Sequence, residues 1–102
     1  MQVGLHTRLK PGAEERYEEY HSAVWPEVVD AIRKAGITRY LIYGDGLDIF
    51  HFIECEDYDS AIAEISKDPT SMRWEAEIAT MMAVTHDFSG DGSDRMRKIW
   101  QL

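Results

Sequence analysis

The chain has 102 residues, 44% of them hydrophobic, and its 19 acidic residues against 11 basic ones give a net charge of -8. A chain of this length buries a core large enough for one domain, which we expect to span residues 1–102. Its acidic surface would repel phosphate backbones and anionic lipids. We therefore expect neither nucleic acid nor a membrane as a partner, and a neutral or cationic small molecule remains compatible.

The cysteine content and the apolar runs indicate a cytoplasmic protein. Cys55 is the single cysteine, which excludes an intramolecular disulfide. No apolar run reaches the roughly 18 residues of a membrane span, and the first residues, MQVGLHTRLKPG, lack the basic and apolar blocks of a signal peptide.

The first third of the chain predicts a strand followed by a helix. Apolar and polar residues alternate from residue 2 to residue 9, which is typical of a strand with one buried face. Apolar residues then recur every three or four positions from Ala13 to about Ala35, where Gly36 ends a predicted amphipathic helix. Because proline removes a hydrogen bond inside a helix, we expect a kink or a restart at Pro26.

The remainder predicts a hairpin, a broken helix and a last strand. Two β-branched and aromatic runs, 37–43 and 47–55, flank Gly44-Asp45-Gly46 and should pair antiparallel. A helical pattern begins near Asp57 and is interrupted at Asp68-Pro69 before a further amphipathic stretch to about Met82. A polar loop at 89–94 precedes a predicted closing strand from Met96 to Leu102.

This β-α-β-β-α-β order predicts an α+β, ferredoxin-like fold, with four antiparallel strands and both helices on one face of the sheet. Both faces of the hairpin strands carry bulky apolar residues: Leu41 and Tyr43 against Tyr40 and Ile42, and Ile49 and Ile53 against Phe50 and Phe52. An uncovered apolar face of that size is unusual in a soluble monomer. We therefore expect a homodimer that closes two sheets face to face.

One helical stripe carries three side chains capable of chemistry or binding. Tyr17, His21 and Trp25 follow one another at four-residue steps and point nearly the same way. The same spacing also fits core residues, and a bend at Pro26 could either follow the core or open a pocket. His21 is the strongest candidate, because a buried imidazole needs polar partners that an apolar stripe does not supply.

Further candidates lie elsewhere in the chain. Tyr40 is on the second predicted strand, and Arg73-Trp74-Glu75 offers a cation, an aromatic plate and a carboxylate. The other histidines are dispersed without metal-ligand spacing, so we predict no metal site, and no phosphate or dinucleotide motif is present. These histidines are His6, His51 and His86.

The motif residues together resemble the L-rhamnose mutarotase family, through Tyr17-x-x-x-His21-x-x-x-Trp25-Pro26-Glu27, then Tyr40-x-x-Tyr43-x-Asp45, and then Arg73-Trp74. The resemblance implies a cytoplasmic dimeric α+β barrel that interconverts the α and β anomers of a 6-deoxy-hexose without a cofactor. It also implies that His21 donates a proton and that Tyr17, Tyr40, Trp74 and Glu75 contact the sugar.

Two features depart from that family pattern. Glu75 stands where rhamnose enzymes of the family typically carry a second tryptophan, and the loop around Asp91 also differs. The substrate could therefore be L-rhamnose or L-fucose.

Mutarotation needs one proton removed from the anomeric hydroxyl and one delivered to the ring oxygen, for which a histidine with a pKa near neutrality is suited. Our hypothesis is His21 as general acid, with the matching base unassigned.

Two alternatives share the same architecture. Haem-degrading or cofactor-independent monooxygenases also use dimeric α+β barrels, and fold alone does not separate them from a mutarotase. A pocket with Tyr17, Glu27, Arg73 and Glu75 nearby would instead favour a polyol. The remaining alternative is a ligand-binding barrel without catalytic activity.

Overall fold

The computed structural model describes residues 1–88 and 92–102 of the chain. It contains five strands and four helices in these ranges, in the order β1 Gln2–Leu9, α1 Glu14–His21, α2 Pro26–Lys34, β2 Ile37–Asp45, β3 Asp48–Cys55, α3 Tyr58–Ser66, α4 Pro69–Ala79, β4 Met82–Val84 and β5 Arg95–Met96.

The strands form one antiparallel sheet in the order β2-β3-β1-β4, and β5 also pairs with β1. Residues 37–45 and 48–55 pair as the predicted hairpin, in a register that sets Tyr43 opposite Phe50. The helices pack against each other on one side of this sheet, where α2 contacts α3, α4 and β2. The predicted α+β, ferredoxin-like arrangement is therefore confirmed.

The first predicted helix is divided in two at the proline, as expected. α1 ends at His21, and α2 restarts with Pro26 as its first residue. Trp25 before it has φ -58° and ψ 131°, the extended conformation that proline imposes on the preceding residue. A proline is tolerated at the first position of a helix because its missing N–H would have no helical partner there. The break turns the chain between His21 and Val24.

The second helical region is divided in the same way. The Asp57 side chain caps α3 by accepting from the Ser60 N–H, and Asp68 caps α4 by accepting from the Ser71 N–H at 2.9 Å. Pro69 is at the start of α4. The predicted interruption at Asp68-Pro69 is therefore confirmed.

The predicted C-terminal boundaries were wrong. α4 ends at Ala79, and Met82 begins strand β4 instead of ending a helix. The predicted closing strand is reduced to the pair Arg95–Met96, and residues 97–102 form no strand. Met81 and Met82 are both buried and continue the apolar pattern beyond the helix, so the pattern cannot mark where the helix stops. Residues 89–91 of the predicted loop, including Asp91, lie outside the described ranges.

The two faces of the sheet differ in how they are covered. The face towards the helices carries the buried residues of β1 and β3, among them Leu5 and Ile53. On the other face, Leu41 and Tyr43 remain 39% and 62% exposed, beside half-buried Phe50 and Phe52. The predicted uncovered apolar face is therefore present, and the homodimer stays a prediction. In the part of the chain described, no helix is both long and apolar enough to cross a membrane.

Candidate active site

A cavity of about 470 Å³ lies between the helices and the sheet, within the size range of small-molecule sites. The five residues to which the family resemblance assigns a role line it: Tyr17, His21, Tyr40, Trp74 and Glu75. Most of the remaining wall is aliphatic or aromatic, supplied by Val24, Val28, Val29, Ile32, Ile37, Ile42, Ile53, Tyr58, Ile62, Ile65, Ile78 and Phe88. Tyr17 and His21 of the helical stripe are therefore part of the wall of a mostly apolar cavity, whose polar lining residues also include Arg33 and Arg39.

His21 is the last residue of α1, and its orientation is set by its own helix. The Tyr17 carbonyl can only accept, so His21 Nδ1–H donates to it at 2.8 Å and leaves Nε2 without a proton in the neutral ring. Burial lowers the pKa of His21, the carbonyl hydrogen bond opposes that shift, and nearby His86 adds to it. The resting imidazole is therefore neutral, with a basic Nε2.

An aromatic wall stands beside His21. Trp74 on α4 is buried, and its ring meets the His21 ring edge-on at 5.6 Å between centroids. The rings of Trp25 and Tyr20, which do not line the cavity, pack against the Trp74 ring with centroid distances of 5.2 and 5.9 Å. The Tyr17 ring lies against the His21 ring, with 4.2 Å between the ring centroids. Flat aromatic surfaces of this kind suit the C–H faces of a sugar ring.

Glu75 brings a carboxylate to the cavity. No hydrogen bond or ion pair reaches this carboxylate from residues 1–88 or 92–102. Burial raises the pKa of Glu75, and His86 partly offsets that rise. The carboxylate is therefore available to a ligand, either as a hydrogen-bond acceptor or, when protonated, as a donor.

A chain of polar side chains crosses the sheet side of the cavity, and sequence reasoning missed most of it. The Tyr40 hydroxyl lies 3.2 Å from His51 Nδ1 and 3.3 Å from His86 Nε2. His51 Nε2 lies 3.0 Å from Thr7 Oγ1, and His86 Nδ1 lies 3.6 Å from a carboxylate oxygen of Asp94. Both histidines line the cavity. This Thr7–His51–Tyr40–His86–Asp94 series is called the polar chain below.

His51 and Asp94 of the polar chain both have shifted pKa values, for different reasons. Burial lowers the pKa of His51 to about 3, with His86 acting in the same direction, so His51 is neutral near pH 7. Burial alone would raise the pKa of Asp94, but the His86 side chain and the Asp87 N–H hydrogen-bond to that carboxylate, and its pKa is lowered overall. Asp94 is therefore a buried carboxylate that faces His86.

Three residues named from the sequence do not line the cavity. Glu27 is exposed on α2, and Arg73 is exposed and donates to Thr70 Oγ1 at 3.1 Å, so the expectation that both lie near the pocket was wrong. For Arg73, helical geometry explains the error, because neighbours in sequence point about 100° apart, and with Trp74 and Glu75 both at the cavity Arg73 points away from it. Trp25 is the third of these residues: it does not line the cavity, and its ring packs against the Trp74 ring.

The missed residues differ in how strongly the sequence signals them. His51 lies between Ile49 and Ile53 on the buried face of β3, and strand alternation alone is enough to put its polar ring on that face. His86 and Asp94 lie outside helices, in segments without a regular pattern, so no periodicity could bring them together. No group of three or more His, Cys, Asp and Glu side chains suited to a metal ion occurs within the described ranges.

Comparison with known proteins places the chain in one family. The L-rhamnose mutarotase family model matches residues 2–102. The L-rhamnose mutarotase of Burkholderia orbicola is 36% identical over 87 residues, 83% of each chain, and that of Rhizobium etli is 32% identical over 88 residues, 85% of this chain and 83% of that one. A crystal structure of an L-rhamnose mutarotase from Formosa agariphila superposes with a TM-score of 0.79 over 100% of this chain and 98% of that one, at 18% identity. This chain belongs to the L-rhamnose mutarotase family.

Proposed function

We propose that this protein interconverts the α and β anomers of a 6-deoxy-hexose, with L-rhamnose as the first candidate and L-fucose as the second. It is an aldose mutarotase, an isomerase acting on a sugar. The observation that carries the proposal is the cavity itself, which combines a basic His21 Nε2, the Glu75 carboxylate and the flat face of Trp74. Those are the groups needed to move protons between two oxygens of a bound sugar.

His21 is the proposed catalytic acid–base residue. In the resting protein it is neutral, so it takes a proton from one sugar oxygen through Nε2 and becomes the donor for the return step. His21 therefore acts first as a proton acceptor. The proton donation that the family resemblance implies for His21 is the second half of the cycle. A positioned acid–base group of this kind contributes about 10² to 10⁴ in rate.

The other predicted residues form the proposed sugar site. Trp74 offers its face to the C–H surface of the ring, and Glu75 accepts from ring hydroxyls. Tyr17 and Tyr40 supply hydroxyl groups, and both stay protonated because burial, followed by the negative charge of Glu75, raises the pKa of each. These tyrosines therefore bind as neutral donors and acceptors.

The test is exchange NMR of the anomeric protons, run on L-rhamnose and on L-fucose with wild-type protein. We expect faster α/β exchange than in buffer for at least one sugar, and the sugar with the larger kcat/KM is the better substrate. If neither sugar exchanges faster and the protein binds haem or consumes oxygen, the monooxygenase alternative replaces the proposal. Binding of either sugar without faster exchange would support the ligand-binding barrel.

We also propose a cytoplasmic homodimer. The uncovered face with Leu41, Tyr43, Phe50 and Phe52 supports a second copy as its occupant, because two such faces would bury each other's apolar surface. The buried free thiol of Cys55 is compatible with a reducing compartment.

A further inference from the structure

Both ring nitrogens of His51 have partners within the sheet. Nδ1 lies 3.2 Å from the Tyr40 hydroxyl, and Nε2 lies 3.0 Å from Thr7 Oγ1. An imidazole nitrogen makes one hydrogen bond, as a donor or as an acceptor. His51 lines the cavity, but these two contacts use both of its ring nitrogens. Its hydrogen-bonding capacity is therefore directed at Tyr40 and Thr7 and not at a ligand.

The three side chains come from adjacent strands. The sheet order β2-β3-β1 puts Tyr40 and Thr7 on either side of His51. Tyr40 pairs with Ile53 and Thr7 pairs with Ile49, so each is a diagonal neighbour of His51 across the sheet. Thr7 and His51 are 0% and 2% exposed. The register of a buried sheet face therefore fixes the Thr7–His51–Tyr40 part of the polar chain.

These contacts hold for either tautomer of His51. Burial lowers the pKa of His51 to about 3, so near pH 7 the ring is neutral and has one donor nitrogen and one acceptor nitrogen. A hydroxyl group can both donate and accept. Thr7 and Tyr40 can therefore satisfy the ring in both tautomers, with one hydroxyl donating to it and the other accepting from it.

The Tyr40 hydroxyl has one hydrogen-bonding site left for a ligand. A tyrosine oxygen has one donor site and two acceptor sites. His51 Nδ1 and His86 Nε2, at 3.2 and 3.3 Å, occupy two of these three sites, whichever ring nitrogens carry the protons. Tyr40 lines the same cavity as His21. The polar chain therefore meets a bound sugar through Tyr40.

We propose that His51, held in turn by Thr7, is a positioning residue that fixes the Tyr40 hydroxyl for contact with the sugar. The proposal rests on the sugar site of the proposed function, in which Tyr40 binds the substrate. Without the His51 contact, the Tyr40 side chain would have to be ordered when the sugar binds, and that ordering weakens binding. Thr7 supplies the partner of the second ring nitrogen, which would otherwise be buried without one.

A double-variant cycle on sugar binding tests the proposal. Calorimetry gives Kd for L-rhamnose and L-fucose, and the sugar that wild type binds more tightly is used. Tyr40→Phe should raise Kd about 5- to 10-fold, the effect of one net hydrogen bond. His51→Leu should also raise Kd, and the double variant should bind no more weakly than Tyr40→Phe alone. If either single variant binds as tightly as wild type, or if the two losses multiply, the proposal is overturned.

Thr7 variants give a second test that keeps the His51 ring, so it decides the question even if His51→Leu does not fold. Thr7→Val removes the hydroxyl and should raise Kd about 3-fold or more, whereas Thr7→Ser should stay within about twofold of wild type. Thr80→Val removes an exposed hydroxyl at the end of α4 and should leave Kd unchanged.

The Tyr40→Phe background separates positioning from structural support. There, Thr7→Val should weaken binding no further, because the hydroxyl through which Thr7 and His51 act is already absent. A purely structural Thr7 would weaken binding equally in both backgrounds. That result, or a Thr7→Val protein that binds as tightly as wild type, contradicts the proposal.

Failure of the positioning role is distinguishable from failure of the proposed function, because one is measured by binding and the other by anomer exchange. If wild type accelerates exchange while His51→Leu and Thr7→Val bind the sugar as wild type does, only the positioning role fails. If wild type binds a sugar without accelerating exchange, the mutarotase function fails and the binding cycle still decides the positioning role. If wild type neither binds nor exchanges either sugar, both fail.

Discussion

Mild acid should destabilise this protein through His51, a buried imidazole that stays neutral in the folded state. Its pKa falls from 6.5 to about 3 on folding, chiefly through burial. Between these values the unfolded chain binds a proton that the native protein does not, so the free energy of unfolding falls as the pH is lowered through this range. Each pH unit below 6.5 costs about 1.4 kcal/mol, and pH 5 therefore costs about 2 kcal/mol relative to pH 7.

The assay is urea unfolding at pH 7, 6 and 5 at one protomer concentration, followed by tryptophan fluorescence. His51→Gln should be less stable than wild type at pH 7, because its amide replaces the hydrogen bonds to Thr7 and Tyr40 imperfectly. It should nevertheless lose about 2 kcal/mol less than wild type between pH 7 and 5. The pKa of His21 is also lowered, but that residue contributes equally to both proteins.

His6→Gln is the matched control, since it removes a partly exposed imidazole from the other face of the sheet. It should keep the His51-dependent loss of stability between pH 7 and 5, because His51 is intact in it. Equal losses in wild type and His51→Gln between pH 7 and 5 would refute the reasoning, because His51 would then titrate alike in the folded and unfolded states.

Three further predictions concern packing, capping and assembly. Trp74→Ala removes a buried ring that supports the cavity wall and should cost about 3–5 kcal/mol in urea unfolding; a cost below about 1 kcal/mol would contradict its burial. Asp68→Ala removes the side chain that accepts from the Ser71 N–H and Oγ–H and should cost about 1 kcal/mol, whereas Asp68→Asn should recover part of it. Leu41→Asp places a charge on the uncovered apolar face and should shift the protein from dimer to monomer in sedimentation velocity, and an unchanged dimer would exclude that face as the interface.

The fold was largely predictable because its signals are local. Strand alternation from Val3 to Leu9, a hairpin around Gly46 and prolines at both helix restarts each act over a few residues. The C-terminal boundaries were not predictable in the same way. There the buried Met82 extends a helical pattern, and β4 is defined by its pairing with β1, a contact that no local pattern encodes.

The sequence indicated individual site residues and neighbours on one helix, but not the contacts between residues of separate elements. Tyr17 and His21 share a helix face, and Glu75 adjoins Trp74, so spacing and the family motif indicated them together. The polar chain instead joins residues from separate segments, and Tyr40 meets His86 across 46 positions. That pairing depends on how the segment after β4 packs over the sheet, which is a tertiary property.

The central claim is that His21 moves a proton in anomer exchange, and exchange NMR of wild type against His21→Ala tests it most directly. With the sugar that wild type prefers, we predict that kcat falls about 10²-fold or more in His21→Ala, while His6→Ala, the matched control outside the cavity, exchanges at the wild-type rate. A His21→Ala protein that exchanges the anomers as fast as wild type would contradict the account.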